Sequence, residues 1–305
     1  TEANIWALTM ARLVTGRNKY LGFNGAYHGG FLKFPLGHHE LNIPLDFELA
    51  DYNDVEGAEA VIRRHGSELA AVIVEPILGA GGNIAGSQEF MDRLRRVTTE
   101  VGALLIFDEV KTARQGPAGM QGLLGIEPDL TTLGKFIGGG LPIGAFGGRV
   151  EYMAAFNPKQ PVHWNHAGTF NNDVCTMAAG CTAMGDIFTP ERAQGFLESS
   201  EAFRQSLNEL FADLDVPMYA NGLGSIIAIH FSRRPTRLRS DITAGCQALR
   251  PLLHMELLNS GVAICSRGDF FVSLPMNEAH FVRARAALAD FVDRHRYLIS
   301  QVLAV

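Results

Sequence analysis

The sequence predicts an α/β fold with a mostly parallel central sheet in a large domain and a smaller α+β domain at the C-terminus. Two near-continuous apolar runs, LAAVIVEP at residues 69–76 and ALLIFDEV at residues 103–110, end in acidic residues and are typical of buried parallel strands. Between them, apolar residues recur at helical spacing from Phe90 to Val101, and Gly102 ends the segment. These three segments predict a β-α-β unit.

The N-terminal part of the chain is predicted to contribute to the same sheet. Residues 1–16 have apolar side chains at near-helical spacing, with Thr1 as N-cap and Gly16 as terminator. KYLGFNGAYHGG, residues 19–30, predicts a strand followed by a glycine-marked loop, and DLTTLG, residues 129–134, predicts another strand. A domain rarely opens on a helix at its first residue, so we expect sequence upstream and a truncated start of this domain.

The pattern changes near residue 190. Residues 174–188 predict a buried helix, and residues 191–214 predict a long amphipathic one. Further along, GSIIAIHF predicts a strand and CQALRPLLHMELLNSG a helix; VAICSRGDFFVSLP and a terminal helix follow. We therefore divide the chain into a large domain, residues 1–190, and a small C-terminal domain, residues 191–305.

Charge and composition favour small ligands over nucleic acid or membrane. The 305 residues have a formal net charge of −6, and no apolar run is long enough to span a bilayer. The arginine-rich residues 232–240 lack interleaved aromatic residues, so we interpret them as a solvated loop. The four cysteines form no CxxC pair, and we interpret them as packing thiols of a reducing compartment, which indicates the cytoplasm. The histidines lack metal-ligand spacing, so no metal site is predicted.

Lys135 stands in a glycine-rich stretch, GKFIGGGLPIGAFGGR at residues 134–149. The glycines let the backbone approach a bound group, so we expect the lysine to be presented to a ligand. A P-loop would place Ser or Thr after the lysine, whereas Phe136 follows here. A surface lysine beside a turn is the alternative. Asp108, at a strand end, can hold a cationic ring nitrogen, and pyridoxal phosphate offers both that nitrogen and an aldehyde for the lysine.

Six motifs resemble those of one enzyme family. TEAN, YHGG, VEPILGAGG, FDEVKTARQG, GKFIGGGLPIGAFGGR and HAGTFNNDVCTMAAG occur in the order and approximate spacing of class III aminotransferases, which belong to the fold-type I pyridoxal-phosphate enzymes. GTFNN, DEVxTxR and the later SRG and SLP are similar to the glutamate-1-semialdehyde aminomutase-like branch, especially its β-phenylalanine aminotransferases. The resemblance implies the fold-type I transferase fold and pyridoxal 5'-phosphate as cofactor.

The resemblance also implies roles around the cofactor ring. Lys135 would form a Schiff base with the aldehyde and then move a proton between substrate and cofactor carbons. Asp108 would keep the ring nitrogen protonated. Val110, taken as extended two residues beyond Asp108, would press on one ring face while Tyr27 stacks on the other. His28, beside Tyr27, would support them.

Other implied roles concern the phosphate, the substrate and a partner subunit. Thr1 matches the third position of the family's phosphate loop, Ser-Gly-Thr-Glu-Ala, at a helix N-terminus. Thr169 resembles a threonine that reaches the partner's phosphate, which implies a homodimer. Glu75 matches an acid on the substrate side of the cofactor, and Arg267 matches an arginine associated with the substrate carboxylate. A solvated arginine in a turn is the alternative for Arg267.

The sequence thus predicts a homodimeric aminotransferase that moves an amino group from an amino acid, with a β-amino acid as one candidate, to a 2-oxo acid. A departure from the family is Lys111, which in an extended strand would point away from the ring. The alternatives are an aminomutase, in which the amino group migrates within one substrate, and a catalytically silent fragment of the same fold. A nicotinamide-binding sheet is a third alternative. GGGLPIGAFGG fits it poorly, because this stretch follows a lysine and is not the glycine-rich turn between a strand and a helix that dinucleotides bind.

Overall fold

A computed structural model of the protein describes residues 1–35 and 37–302. Its helices are α1 Glu2–Thr15, α2 Val55–Arg64, α3 Gln88–Val101, α4 Gly119–Leu124, α5 Val150–Met153, α6 Val174–Thr182, α7 Pro190–Asp213, α8 Ala244–Asn259 and α9 Glu278–Val302. Its strands are β1 Lys19–Phe23, β2 Asp46–Ala50, β3 Leu69–Val74, β4 Ile77–Leu78, β5 Ile84–Ala85, β6 Leu104–Asp108, β7 Leu130–Gly134, β8 Gly144–Gly148, β9 Tyr219–Leu223, β10 Ile226–His230 and β11 Asp269–Phe271.

A six-stranded sheet organises the first of two compact units, which comprises residues 1–78 and 86–193. Its strand order is β2-β1-β3-β6-β7-β8; β7 and β8 pair antiparallel, and the other neighbours are parallel. All residues of β3 and β6 are buried, as expected for central strands covered on both faces. The predicted β-α-β unit and mostly parallel sheet are confirmed.

Helix ends follow the local sequence. Gly16 and Gly102 end α1 and α3 in the left-handed conformation, with φ of 69° and 70°. Ser87 begins α3, and its hydroxyl accepts a hydrogen bond from the Phe90 N–H. The sequence therefore indicated the limits of these two helices correctly.

The second compact unit comprises residues 79–85 and the chain from Gln194 onward. It contains an antiparallel sheet in the order β11-β10-β9, and α8 and α9 pack against each other. We propose that the two units correspond to the predicted domains, residues 1–190 and 191–305. The inclusion of residues 79–85 in the second unit has no counterpart in the sequence prediction.

The predicted extended chain beyond Asp108 is wrong. β6 ends at Asp108, and residues 110–114 form turns. The Asp108 side chain accepts a hydrogen bond from the Val110 N–H, and the Ala113 N–H bonds to the Glu109 carbonyl, so the local hydrogen bonds close a turn. Val110 and Lys111 therefore lie in a turn and not on alternate sides of a strand.

The predicted burial of residues 174–188 is also wrong, although a helix is present. Only Thr176 and Gly180 of α6 are buried, because α6 packs with one narrow face against the turn after β7. Two cysteines in this segment, Cys175 and Cys181, are exposed, so they are not the packing thiols that the sequence suggested. Cys246 is buried and Cys265 is partly buried.

Candidate active site

Three predicted site residues lie at the carboxyl ends of neighbouring strands. Glu75 follows β3, Asp108 is the last residue of β6, and Lys135 follows β7. Because these parallel strands are adjacent in the sheet, their carboxyl ends meet at one edge, where open α/β sheets bind ligands. The topology thus brings an amine and two carboxylates to one place.

Asp108 is buried and held by several donors. Its Oδ2 accepts hydrogen bonds from His28 Nδ1 at 2.8 Å and from Asn4 Nδ2 at 2.8 Å. Its Oδ1 lies 3.1 Å from the Val110 N–H nitrogen and 3.3 Å from Thr132 Oγ1. Burial opposes ionisation, but the bonds from His28, Val110 and Asn4 outweigh it and hold the pKa of Asp108 below its ordinary value. Asp108 is therefore a fixed, ionised carboxylate.

His28 donates to Asp108 and is itself buried. An ionised carboxylate only accepts, so the proton of the contact is on His28 Nδ1. Among the described residues, His28 Nε2 has no hydrogen-bond partner. The Nδ1–H of His28 therefore holds the Asp108 carboxylate in place from the buried side of the site.

Close backbone packing explains the glycines around Lys135. Lys135 begins a short 3₁₀ turn, Lys135–Gly138, and has a positive φ of 53°. Gly139, at φ 61°, passes so close to α6 that a Cβ would lie 2.4 Å from the Ala179 carbonyl oxygen. A Cβ on Gly180 would lie 2.6 Å from the Ile137 carbonyl oxygen. The glycines therefore seat the turn against α6 and fix the lysine's backbone.

The Lys135 amine is held in a desolvated, acidic setting. Although much of the residue's surface is exposed, protein around the amine lowers the pKa of Lys135 by desolvation, partly offset by the carboxylates of Asp108 and Glu75. A lowered pKa increases the fraction of free amine, which is the nucleophilic and basic form. Lys135 is thus prepared for covalent and proton-transfer chemistry.

Glu75 and Tyr27 are joined by a hydrogen bond. The Tyr27 N–H donates to Glu75 Oε1 at 2.9 Å, and Glu75 is buried. The Tyr27 residue is 49% exposed, so its ring is available to contact a ligand. Glu75 therefore positions the backbone of the loop that presents Tyr27 and His28.

Thr1 lies at the N-terminus of α1, where N–H groups are free to bind an anion. Its hydroxyl accepts a hydrogen bond from the Gly30 N–H at 3.1 Å, and a Cβ on Gly29, at φ 125°, would collide with the Thr1 side chain. A cavity of about 570 Å³ beside it is lined by Thr1, Glu2, Ala3, Trp6, residues 142–146, His166, residues 170–173, Thr176 and Met177. The YHGG motif thus brings loop backbone against the helix start.

The structure does not join two predicted residues to this cluster. Thr169 is exposed in a turn, where the Asn171 N–H bonds to the Gly168 carbonyl. Arg267 belongs to the second unit, where it bonds to Asp269 Oδ2 at 3.0 Å and leaves its side chain 55% exposed. Their predicted roles in the partner's site and in substrate binding stay predictions.

Glu109 has a structural function that the sequence did not reveal. Glu109 follows Asp108 at the end of β6, and its carboxylate accepts bonds from the Met120 and Gln121 N–H groups at the start of α4. Burial raises the pKa of Glu109, and this effect is larger than the opposite effect of the hydrogen bonds that its carboxylate accepts. Glu109 therefore caps a helix.

Sequence reasoning also missed Asn4 and Thr132, which contact Asp108. Asn4 was within the TEAN motif, and its polar side chain on an apolar helix face was an available signal, since buried polar groups need partners. Within residues 1–35 and 37–302, no cluster of three or more His, Cys, Asp or Glu side chains could hold a metal ion. No helix in these ranges has the length and apolar character needed to cross a membrane.

The model of the family "Aminotransferase class-III" matches residues 1–292. The chain belongs to the class III aminotransferases. These enzymes depend on pyridoxal 5'-phosphate and transfer amino groups between amino acids and keto acids, so the predicted family, fold type, cofactor and reaction are confirmed.

Individual relatives support the predicted branch. A β-phenylalanine transaminase of Variovorax paradoxus is 46% identical over 300 residues, which are 98% of this chain and 69% of that protein. A glutamate-1-semialdehyde 2,1-aminomutase of Caldivirga maquilingensis is 38% identical over 277 residues, 86% of this chain and 64% of that protein. This class III aminotransferase is thus similar to both enzyme types of the branch.

Solved structures of two transaminases have the same fold as this chain. The crystal structure of a β-phenylalanine aminotransferase from Variovorax paradoxus superposes with a TM-score of 0.94 at 46% identity, over 97% of this chain and 69% of that one. An ω-transaminase from Sphaerobacter thermophilus gives a TM-score of 0.88 at 32% identity, over 97% of this chain and 72% of that one. The class III aminotransferase therefore has the fold-type I architecture.

Proposed function

We propose that this chain is a transaminase whose catalytic amine is Lys135 and whose amino donor is a β-amino acid. The observation that carries the proposal is the convergence of Lys135, with its lowered pKa, and the ionised Asp108 at adjacent strand ends. The β-phenylalanine transaminase relative, at 46% identity, supports the donor class. The acceptor is a 2-oxo acid.

The residues present fit pyridoxal 5'-phosphate. The cofactor supplies an aldehyde for a primary amine, a ring that takes up electrons from the substrate carbon, and a phosphate. A buried, ionised carboxylate suits the protonated ring nitrogen, and Asp108, held by the His28 Nδ1–H, provides one. The free N–H groups at the start of α1 and the Thr1 hydroxyl suit the phosphate.

In the holoenzyme, Lys135 would hold the cofactor through its amine and would then act as the acid-base group. Once a substrate amine has displaced it, the Lys135 amine could take a proton from the substrate carbon that carries the amino group and return it at the cofactor carbon. The desolvation that lowers its pKa favours the free amine that this step needs. The single lysine thus serves both as anchor and as base.

Side chains around Lys135 orient the ring and the substrate. Val110 lies beside Gly134, where a Cβ would meet Val110 Cγ1 at 3.4 Å, so its methyl groups can cover one ring face. Tyr27 offers an aromatic ring for the other face. In this proposal Glu75 faces the substrate side of the cofactor, and Arg267 would bind the substrate carboxylate with its half-exposed guanidinium.

The active assembly in this proposal is a homodimer located in the cytoplasm. Four strongly exposed apolar side chains between residues 150 and 174 support a subunit interface: Val150 81%, Val162 84%, Phe170 85% and Val174 79% exposed. Thr169 lies within this segment and would reach the phosphate of the partner's site. The dimer would also cover the exposed face of α6.

A keto-acid dependence assay tests the proposed reaction. The purified full-length protein is incubated with pyridoxal 5'-phosphate, β-phenylalanine and 2-oxoglutarate, with and without the keto acid. Transamination predicts glutamate only when the keto acid is present. An amino group that migrates within glutamate-1-semialdehyde without any keto acid would instead support the aminomutase, and turnover of neither substrate would support a catalytically silent chain.

A further inference from the structure

Asn4 is a buried polar residue on the side of α1 that faces Asp108. It is 2% exposed and lies on the buried face of α1 among Ala3, Ala7 and Leu8. A buried amide roughly breaks even at best against an apolar residue, because desolvation offsets its hydrogen bonds. Packing of α1 therefore gives no reason for asparagine at this position.

The hydrogen bonds of Asn4 fix the orientation of its amide. Thr132 Oγ1 donates to Asn4 Oδ1 at 2.6 Å, while Asn4 Nδ2 donates to the His28 carbonyl at 2.8 Å and to Asp108 Oδ2 at 2.8 Å. Rotating the amide by 180° would set its oxygen against the His28 carbonyl and the Asp108 carboxylate. Only one orientation therefore satisfies all of these groups.

The orientation of the Asn4 amide decides how the hydrogen bonds are divided between the two carboxylate oxygens of Asp108. Oδ2 accepts two bonds, from His28 and Asn4, which fill its in-plane lone pairs. Oδ1 accepts the Val110 N–H, and the single Thr132 hydrogen goes to the nearer Asn4 Oδ1, at 2.6 Å rather than 3.3 Å. Oδ1 is thus the carboxylate oxygen that keeps room for a further donor.

Asn4 also connects Asp108 to the start of α1. Thr1 precedes Asn4 by three residues, so both lie in the first turn of the helix. Thr1 bonds to the Gly30 N–H and Asn4 to the His28 carbonyl, which fastens this turn to the loop of Tyr27 and His28. The helix turn, the loop and Asp108 form one hydrogen-bonded unit.

We propose that Asn4 is a positioning residue that orients Asp108, with Oδ1 directed to the cofactor's ring nitrogen, and sets its spacing from Thr1. The inference rests on the proposed function, since it assumes that Asp108 binds the ring nitrogen. Asn4, the fourth residue of the TEAN motif, thus acts at the end of the site that holds the cofactor ring and not at the end that holds the phosphate. Asn4 acts through Asp108 and touches no reacting atom.

The test compares full-length Asn4→Leu and Asn4→Asp with a matched control, Asn221→Leu. Asn221 is equally a buried asparagine, 5% exposed, that bonds to the Asn83 carbonyl and to both backbone groups of Thr236, and these bonds do not involve Asp108. Each protein is titrated with pyridoxal 5'-phosphate between about pH 3 and pH 8, a range that includes the ordinary pKa of an aspartate, and its melting temperature without cofactor is recorded.

Both leucine variants are expected to melt at lower temperature, but only the Asn4 variants weaken cofactor binding, by about 10- to 100-fold for a lost bond to a charged group. As the pH is lowered, the Asn4 variants should also lose the cofactor at a pH about one unit higher than the wild type does, because Asp108 has lost a donor and its pKa rises. Asn4→Asp is expected to bind most weakly, since its carboxylate faces Asp108 Oδ2.

Wild-type affinity and pH dependence in Asn4→Leu would overturn the proposal, as would the same losses in Asn221→Leu. Absence of cofactor binding in the wild type would overturn the proposed function and this inference with it. If Asn4→Leu does not fold, Thr132→Val removes the donor that orients Asn4 without changing side-chain shape. Weaker, pH-shifted binding in that variant supports the proposal, and unchanged binding overturns it.

Discussion

Asp108 and Thr132 are paired in register on adjacent parallel strands, with Thr132 Oγ1 3.3 Å from Asp108 Oδ1. Lys135 follows Thr132 by three residues, past the end of β7. A carboxylate at the end of one strand and an amine directly after the next are thus held in place by the sheet's own hydrogen bonds. Their separation does not depend on a flexible loop, which suits a site that must hold both ends of one planar cofactor.

Replacing Lys135 by alanine is expected to abolish transamination. The variant has no amine for the aldehyde and no base at the substrate carbon, so kcat should fall by at least about 10³-fold. Amino transfer from β-phenylalanine is followed through glutamate formation. Lys111→Ala is the matched control, because it removes a neighbouring lysine, and it should retain wild-type kcat. Equal losses in both variants would argue against a special role for Lys135.

The lowered pKa of Lys135 predicts unusual reactivity in the cofactor-free protein. An ordinary lysine, with a pKa near about 10.4, is almost fully protonated at pH 8, whereas a lysine of lowered pKa has more free amine. Lys135 should therefore react with trinitrobenzenesulfonate faster at pH 8 than the exposed Lys159, as followed by peptide mass spectrometry. Faster labelling of Lys159 would contradict the desolvation argument.

Acid stability should depend on Asp108. Its pKa is lowered in the folded protein, so its contribution to stability is present above the unfolded value of about 3.9 and is lost as the pH falls through the folded value. Asp108→Asn should therefore flatten the loss of stability below about pH 4 in urea unfolding of the cofactor-free protein. A variant with the wild-type slope in this range would show that Asp108 is not the responsible group.

Gly180 and Gly195 form a matched pair of helical glycines with opposite expected effects. A methyl group on Gly180 would lie 2.6 Å from the Ile137 carbonyl oxygen, whereas at Gly195 nothing lies within 4 Å. Gly180→Ala should lower the free energy of unfolding by about 1–3 kcal/mol and displace the Lys135 turn. Gly195→Ala should raise it by up to about 1 kcal/mol through helix propensity. Denaturant titrations of both variants measure the difference.

The proposed homodimer predicts the effect of Phe170→Asp. Phe170 is 85% exposed in the single chain, and a charge there would be buried without a partner in an interface. Sedimentation equilibrium should give a dimer for the wild type and mostly monomer for the variant. A monomeric wild type would exclude the interface, and a dimeric variant would place the interface elsewhere.

Elements with strong local patterns were predictable from the sequence. Periodicity and the terminating glycines gave α1, α3, β3 and β6 with nearly correct ends, since these signals are local. Asp108 and Lys135 were predictable because parallel strand ends meet at one edge. The partners of Asn4 and Thr132 were not, because the bond between these two joins residues 128 apart in sequence and the contact of Thr132 with Asp108 depends on the register of β6 and β7. The turn at Val110 depends on the Asp108 side-chain bond to Val110 and on the bond from Ala113 to Glu109, neither of which the hydrophobic pattern shows. The apolar sequence of α6 does not reveal that the helix is mostly exposed in the single chain.

Reductive trapping tests the central claim most directly. The full-length protein with bound pyridoxal 5'-phosphate is reduced with borohydride, digested and mapped by mass spectrometry. The account predicts a single pyridoxyl group, on Lys135, and loss of this adduct in Lys135→Ala. A pyridoxyl group on Lys111 or any other lysine of the wild type, or no adduct at all, would contradict it.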